Sequence, residues 1–184
     1  MEEKRQLRRA LLAQSEQQSE AELRASDRAI ARCVMQMRAW REARTVFVYV
    51  SVRREVDTCG LIAAALGAGK RVAVPLCLEK GRMEAREIRS LEELRPGRYG
   101  LVEPGVQAAR VAPEEIDLTL APCVGADRQR YRLGHGGGYY DRFLQQAGGV
   151  KACLCRAQAL VEALPREAHD VRMDVIITDE GLIR

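Results

Sequence analysis

Between Arg44 and Ser51 the chain reads Thr45-Val-Phe-Val-Tyr-Val50, an unbroken run of β-branched and aromatic residues. A strand that is apolar at every position is covered on both faces, as strands are in parallel sheets flanked by helices. Downstream, Asp57 is placed to cap a helix that carries Leu61, Ile62, Ala65 and Leu66 and ends at Gly67 or Gly69. Arg71-Val-Ala-Val-Pro75 supplies the next strand.

The same alternation extends outward in both directions. Upstream, the first twenty or so residues read as a polar helix with Leu7 and Leu11 on one face. Ser19 and Glu22 have capping-box spacing, and Leu23, Ile30, Val34 and Met37 then keep a helical period. Downstream, residues 83–88 read as a short strand, followed by a second capping-box pair, Ser90 and Glu93, and a turn at Pro96-Gly97. Pro104, Gly105 and Pro113 mark loops, and residues 118–124 read as a buried strand that Pro122 interrupts near its end. A helix is expected around residues 140–146, with further strands at 152–155 and 175–178. Strands alternating with helices predict an α/β fold, a three-layer domain around a largely parallel sheet. With 184 residues and no linker-like composition shift, one domain over 1–184 is expected.

No apolar run approaches the roughly 20 residues a membrane-spanning helix needs. The start, Met1-Glu2-Glu3-Lys4-Arg5, is not a signal peptide. The 30 basic side chains are mostly Arg and are interleaved with 26 acidic ones, and aromatics are only 4%. Mixed charge with few stacking groups argues against a nucleic-acid face. The six Cys form no Cys-x-x-Cys pair, and strand alternation puts Cys153 and Cys155 on one face as buried thiols. Reduced thiols without a signal peptide point to the cytoplasm.

The chemistry concentrates in Arg132-Leu-Gly-His-Gly-Gly-Gly-Tyr-Tyr-Asp-Arg-Phe-Leu144. Four glycines in five positions let backbone approach a ligand closely, and the helix that follows would aim free N–H groups at the same spot. Arg132 and Arg142 would add positive charge, and Asp141 a hard oxygen ligand for Mg²⁺. This is the composition of a phosphate cradle, although it is neither the dinucleotide fingerprint nor the P-loop pattern. The bland alternative is a flexible loop with two tyrosines covering the sheet.

The segment Arg-Leu-Gly-x-Gly-x-Gly-Tyr-Tyr-Asp also resembles the signature of the 5-formyltetrahydrofolate cyclo-ligase family. Lys4-x-x-x-Arg8, Ser51-Val-Arg-Arg-Glu-Val-Asp-Thr58, Tyr99-Gly-Leu-Val-Glu-Pro104, His169-Asp170 and Met173-Asp-Val-Ile-Ile-Thr178 are similar to further family segments, in order along the chain. The resemblance implies a fold like the sugar-phosphate isomerase and coenzyme A transferase group. It also implies ATP- and Mg²⁺-dependent conversion of 5-formyltetrahydrofolate to 5,10-methenyltetrahydrofolate through an imidoyl phosphate, by a monomer. ATP would be held by Lys4, Arg8, Arg132, Leu133, Gly134, His135, Gly136, Gly137, Gly138, Tyr139 and Tyr140. The folate would meet Val50, Glu55, residues 135–139 and Tyr99, and Mg²⁺ would meet Asp141 and Asp170, with Asp174 either a third ligand or a structural residue at a strand start. Arg132 and His135 are the candidate charge stabilisers, with His135 standing where some members carry Arg. No protein nucleophile is implied. The rival readings are a phosphotransferase acting on another small acceptor, and a non-catalytic folate, nucleotide or RNA binder.

Overall fold

The structure, a computed structural model, describes residues 2–79, 81–97 and 100–184. Its main sheet has a parallel centre of β1 (Thr45–Val48), β2 (Arg71–Cys77), β7 (Leu118–Ala121), β10 (Val150–Leu154) and β12 (Val175–Thr178). Antiparallel strands finish both edges: β3 (Met83–Ile88) and β6 (Arg110–Val111) beyond β2, and β13 (Gly181–Ile183) beside β12. The spatial order is β13-β12-β10-β7-β1-β2-β3-β6. From β1 the chain moves one way to β2, then returns to place β7 on the other side. That reversal opens a crevice at the carboxyl ends of β1 and β7, the place where open α/β sheets bind ligands.

Helices cover both faces, so the three-layer reading holds. Val46, Val48, Val72, Val74, Leu118, Leu120 and Ile177 face α2 (Glu20–Gln36), α3 (Arg38–Glu42) and α4 (Cys59–Gly67). The intervening Phe47, Ala73, Cys153 and Ile176 face α5 (Tyr139–Leu144). Every residue of β1 is buried, as its apolar run predicts. Phe47 is wholly buried and stacks on Phe143 at 4.5 Å between ring centroids. Removing a side chain of this size from water contributes about 2–3 kcal/mol. That contact holds α5, and the Gly-rich loop before it, against the sheet.

Local signals place the helix ends. Ser19 and Glu22 form the reciprocal capping box, and Leu23, Ile30, Val34 and Met37 are all buried. Asp57 acts one position further out than expected. Thr58 is the residue at the cap, and the Asp57 carboxylate accepts the Cys59 amide at 3.0 Å. The strand read at 118–124 stops at Ala121, immediately before Pro122, which cannot donate to the ladder. The strand read at 152–155 instead spans Val150–Leu154, so Cys155 lies just past its end.

Sequence patterns alone do not reveal the second, three-stranded sheet. It joins β8 (Gly125–Asp127), β9 (Arg132–Leu133) and β11 (Leu160–Val161), while β4 (Arg95–Pro96) pairs with β5 (Val102–Glu103) near the end of β2. Across the small sheet lies α1 (Glu2–Glu16), whose Leu11 packs with Leu133 and Leu164. Gly125 admits this contact, since a Cβ there would sit 2.5 Å from Leu11 Cδ1 and 2.8 Å from the Ala159 carbonyl oxygen. Among the described residues no helix is long and apolar enough to cross a membrane.

Candidate active site

Two loops meet at the crevice. The first, residues 49–58, follows β1 and is stapled from within. The buried Tyr49 hydroxyl donates to the Val56 carbonyl at 2.8 Å, and Thr58 Oγ1 donates to the Tyr49 carbonyl at 2.6 Å. This fold presents Glu55 inward. One Glu55 oxygen accepts the Val52 amide at 3.0 Å, and the other lies 3.4 Å from His135 Nε2 on the second loop. Val50, half-buried against the main core, lies at the root of the same loop.

The second loop is the Gly-rich segment. Leu133 is core, but Gly134 turns away from the sheet and its carbonyl accepts Arg8 Nε at 2.6 Å. Gly136 has φ +94 and Gly138 has φ +70, left-handed conformations that favour glycine. A Cβ on Gly136 would lie 3.5 Å from the Arg8 guanidinium, and one on Gly137 would lie 2.7 Å from the Tyr139 ring. Among the described residues, the amides of His135, Gly136, Gly137 and Gly138 have no hydrogen-bond partner. Successive unpaired N–H groups next to a guanidinium make an anion-binding concavity. α5 is only six residues long, so it adds few aligned peptides. The charge of this cradle comes from arginine rather than from a helix dipole.

Beneath the loop, Arg132 is nearly inaccessible, with 3% of its side chain exposed, and it donates to Asp141 Oδ1 at 2.8 Å. Its guanidinium lies 5.5 Å from the Tyr140 ring. Tyr140 is half-buried beside Arg132 and Phe47, and desolvation pushes its hydroxyl well above the ordinary tyrosine range. Its hydroxyl therefore stays protonated at neutral pH.

On the other side, Lys4 Nζ donates to Asp170 at 2.6 Å and to Glu167 at 2.8 Å. Burial draws the Lys4 ammonium down, yet its bonds to Asp170 and Glu167 outweigh this and leave it raised. Glu167 is lowered by the same contact. Glu167, His169 and Asp170 form a group of potential metal ligands whose donor atoms lie within 4.8 Å of one another. Asp141 is outside that group, turned to Arg132, although Gln145 one turn along donates to the His169 carbonyl at 3.5 Å.

Asp174 takes the structural alternative: its carboxylate accepts the Lys151 amide at 2.7 Å where β10 begins. Tyr99 lies outside the described residues. Of the remaining sequence candidates, Arg8 meets Gly134, Glu55 meets His135, Lys4 meets Asp170 and Arg132 meets Asp141. Two groups were missed by reading the sequence. Glu167 shares Lys4 with Asp170, and its three-residue spacing from Asp170 was the available signal. Asp127, wholly buried, accepts the amides of Tyr131 at 2.9 Å and Leu164 at 3.0 Å, tying the β8–β9 hairpin to the segment that carries Glu167 and Asp170. All six thiols are free, and a hydrogen bond with Cys123 together with burial pushes Cys153 well above the usual thiol range.

The whole arrangement has counterparts among known proteins. Residues 1–179 match the 5-formyltetrahydrofolate cyclo-ligase family. The 5-formyltetrahydrofolate cyclo-ligase of Escherichia coli K12 is 34% identical over 183 residues, 95% of each chain. A probable 5-formyltetrahydrofolate cyclo-ligase of Schizosaccharomyces pombe is 28% identical over 84% of each chain. Among solved structures, the 5,10-methenyltetrahydrofolate synthetase of Aquifex aeolicus superposes with a TM-score of 0.87 at 31% identity, covering 98% of this chain and 92% of that one. With the motifs in order and the fold shared along its length, this chain belongs to the 5-formyltetrahydrofolate cyclo-ligase family.

Proposed function

We propose that the chain catalyses the ATP-driven ring closure of 5-formyltetrahydrofolate to 5,10-methenyltetrahydrofolate, with release of ADP and phosphate. The observation that carries this reading is a cationic, glycine-backed cradle of unpaired amides that touches Glu55 through His135. The formyl oxygen attacks the γ-phosphorus of ATP, the bond to the bridging oxygen breaks, and ADP leaves. N-10 of the folate then attacks the activated formyl carbon, the carbon–oxygen bond breaks to release phosphate, and the N-10 proton is lost. Such transfer needs positioning and charge stabilisation more than a protein nucleophile.

In this reading Arg8 and the loop amides hold the phosphates, Arg132 fixes Asp141, and Glu55 with Val50 orients the folate. A cavity of about 340 Å³ lies at the end of β2, lined by Cys77, Leu78, Gly97 and Glu103, and offers room for an organic group. Oxygen donors suit Mg²⁺, and Lys4 already places a cation between Asp170 and Glu167. Those two carboxylates would hold it, and Asp141, turned to Arg132, would join them only by leaving that partner. Bound there, Mg²⁺ would neutralise charge on the phosphates. Free thiols accord with a reducing cytoplasm, and the proposed working form is a monomer.

The direct test is near-UV absorbance with 5-formyltetrahydrofolate and MgATP. An ATP-dependent rise of the methenyl chromophore is expected. A flat trace from folded, ATP-binding protein would favour another phosphate acceptor, and one without ATP binding would favour a binding module. Lys4→Ala is expected to raise the KM for ATP about ten-fold and to leave that for folate nearly unchanged; the reverse pattern would move Lys4 to the folate side.

The Lys4 contacts also predict how α1 docking depends on pH. The raised Lys4 contributes fully below its ordinary 10.5 and loses that contribution only as pH climbs through its higher folded value. The lowered Glu167 contributes fully above its ordinary 4.5 and loses it as pH falls through its lower folded value. Leu11 methyl shifts are therefore expected to change as pH passes either limit; a response at neither would contradict the pairing.

A further inference from the structure

We propose that Arg156 is a positioning residue for the folate. With Asp27 of α2 it clasps the loop of residues 49–58 in the conformation that turns Glu55 toward the Gly-rich loop. The folate part of this statement rests on the function proposed above.

Arg156 stands two residues past the end of β10, on backbone that is pinned on either side. The Cys155 amide donates to the Ile177 carbonyl at 3.0 Å, and the Ala157 amide donates to an Asp179 carboxylate oxygen at 2.8 Å. The Arg156 side chain is only 8% exposed, and one of its nitrogens serves two elements. Nη2 donates to Asp27 Oδ1 at 2.5 Å and to the main-chain carbonyl of Glu55 at 3.4 Å. The same Asp27 oxygen accepts the Asp57 amide at 3.3 Å. Two fixed parts of the fold, the end of the sheet and α2 with its buried Ile30 and Val34, thus grip the loop at residues 55 and 57.

The loop needs such a grip. Arg53 has φ +54, a left-handed conformation that costs a residue with a side chain and persists only where its surroundings impose it. Arg54 ties the loop outward, donating to the Ser15 carbonyl at 2.8 Å, but among the described residues only Arg156 bonds the Glu55 carbonyl. The Glu55 carboxylate, which accepts the Val52 amide and faces His135, is set by that backbone. The Arg156–Asp27 pair contributes geometry more than stability. Burial raises the Asp27 carboxyl although Arg156 draws it down, and Arg156 Nε is buried without a partner among the described residues. A buried pair of this kind can be replaced by apolar residues with little loss of stability. What the replacement removes is the direction that the bonds give to the loop, and a displacement of about an ångström is enough to disturb alignment.

The experiment compares the double variant Asp27→Leu with Arg156→Met, the single variant Arg156→Lys, and Glu55→Gln with the parent protein, by amide exchange without ligands and by initial-rate kinetics. The double variant leaves neither charge of the pair buried alone, so its melting temperature is expected to stay within a few degrees of the parent's. Losing hydrogen bonds from and to charged groups is expected to speed exchange at Glu55 and Asp57 about ten-fold. The KM for folate is expected to rise about ten-fold as alignment loosens, with the KM for ATP little changed. Arg156→Lys keeps the charge opposite Asp27 and gives up the fork to Glu55, so it shows part of both effects. Because Arg156 acts through Glu55, adding the double change to Glu55→Gln is expected to make the folate KM no larger than Glu55→Gln makes it alone.

Unchanged exchange in the folded double variant overturns the clasp. Faster exchange with an unchanged folate KM, or with both KM values raised alike, overturns the positioning role. So does an effect on the folate KM that multiplies with that of Glu55→Gln, since Arg156 would then act elsewhere. Should the double variant not fold, Arg156→Lys decides by the same exchange and kinetics. If the parent protein does not turn over the formyl folate, the function reading and the folate part of this proposal fall together, while exchange still decides the clasp.

Discussion

Asp141→Ala is expected to lower kcat/KM by about 100- to 1000-fold, the usual effect of removing one group that organises charge at a phosphoryl-transfer site. The structure adds a second consequence. Arg132 has 3% of its side chain exposed, and its Nε has no partner among the described residues. Asp141 supplies its counter-charge at 2.8 Å. Removing that carboxylate leaves a buried guanidinium unpaired, a change that costs about 3 kcal/mol of stability. Thermal unfolding and kinetics should therefore both respond. Asp141→Asn separates the two, because its amide oxygen can still accept from Arg132 while the negative charge is lost. It is expected to recover much of the stability and little of the activity. Full activity in a stable Ala variant would remove Asp141 from the site.

Gly136→Val is expected to weaken ATP binding at least about 100-fold, by one of two routes. At φ +94 a β-branched residue is strained by about 2–3 kcal/mol, so the loop would abandon this conformation. If the loop held, the new side chain would stand over the Arg8 guanidinium, 3.5 Å from the position of its Cβ. Gly137→Ala is a useful contrast. Its Cβ would meet only the Tyr139 ring at 2.7 Å, and a side chain can swing where a backbone cannot. Titration calorimetry with ATP distinguishes them. Equal, undiminished affinity in Gly136→Val would mean that the phosphates do not sit on this loop.

The two variants also show where local sequence suffices. The four glycines around His135 announce a close backbone approach, because no other residue takes their place without strain. Likewise the run from Thr45 to Val50 announces a doubly covered strand, and all of β1 is buried. The capping box at Ser19 and Glu22 is equally local, and both of its hydrogen bonds form. Short strands such as β8, β9, β11 and β13 escaped because two or three residues carry no readable period.

What the sequence by itself determined, then, is the layered α/β fold, the Gly-rich cradle and its cationic companions, each written in contiguous residues. Tertiary structure alone decided which charges meet. Lys4 reaches Asp170 across 166 positions, Glu55 faces His135, and Asp141 turns to Arg132 and away from the group around Asp170. Periodicity reports burial because a strand or helix repeats its own geometry within a few residues. The pairing of distant ionic groups has no such period, since it depends on how β1, β7 and the hairpin bearing Arg132 bring their ends together and on how α1 lies across them.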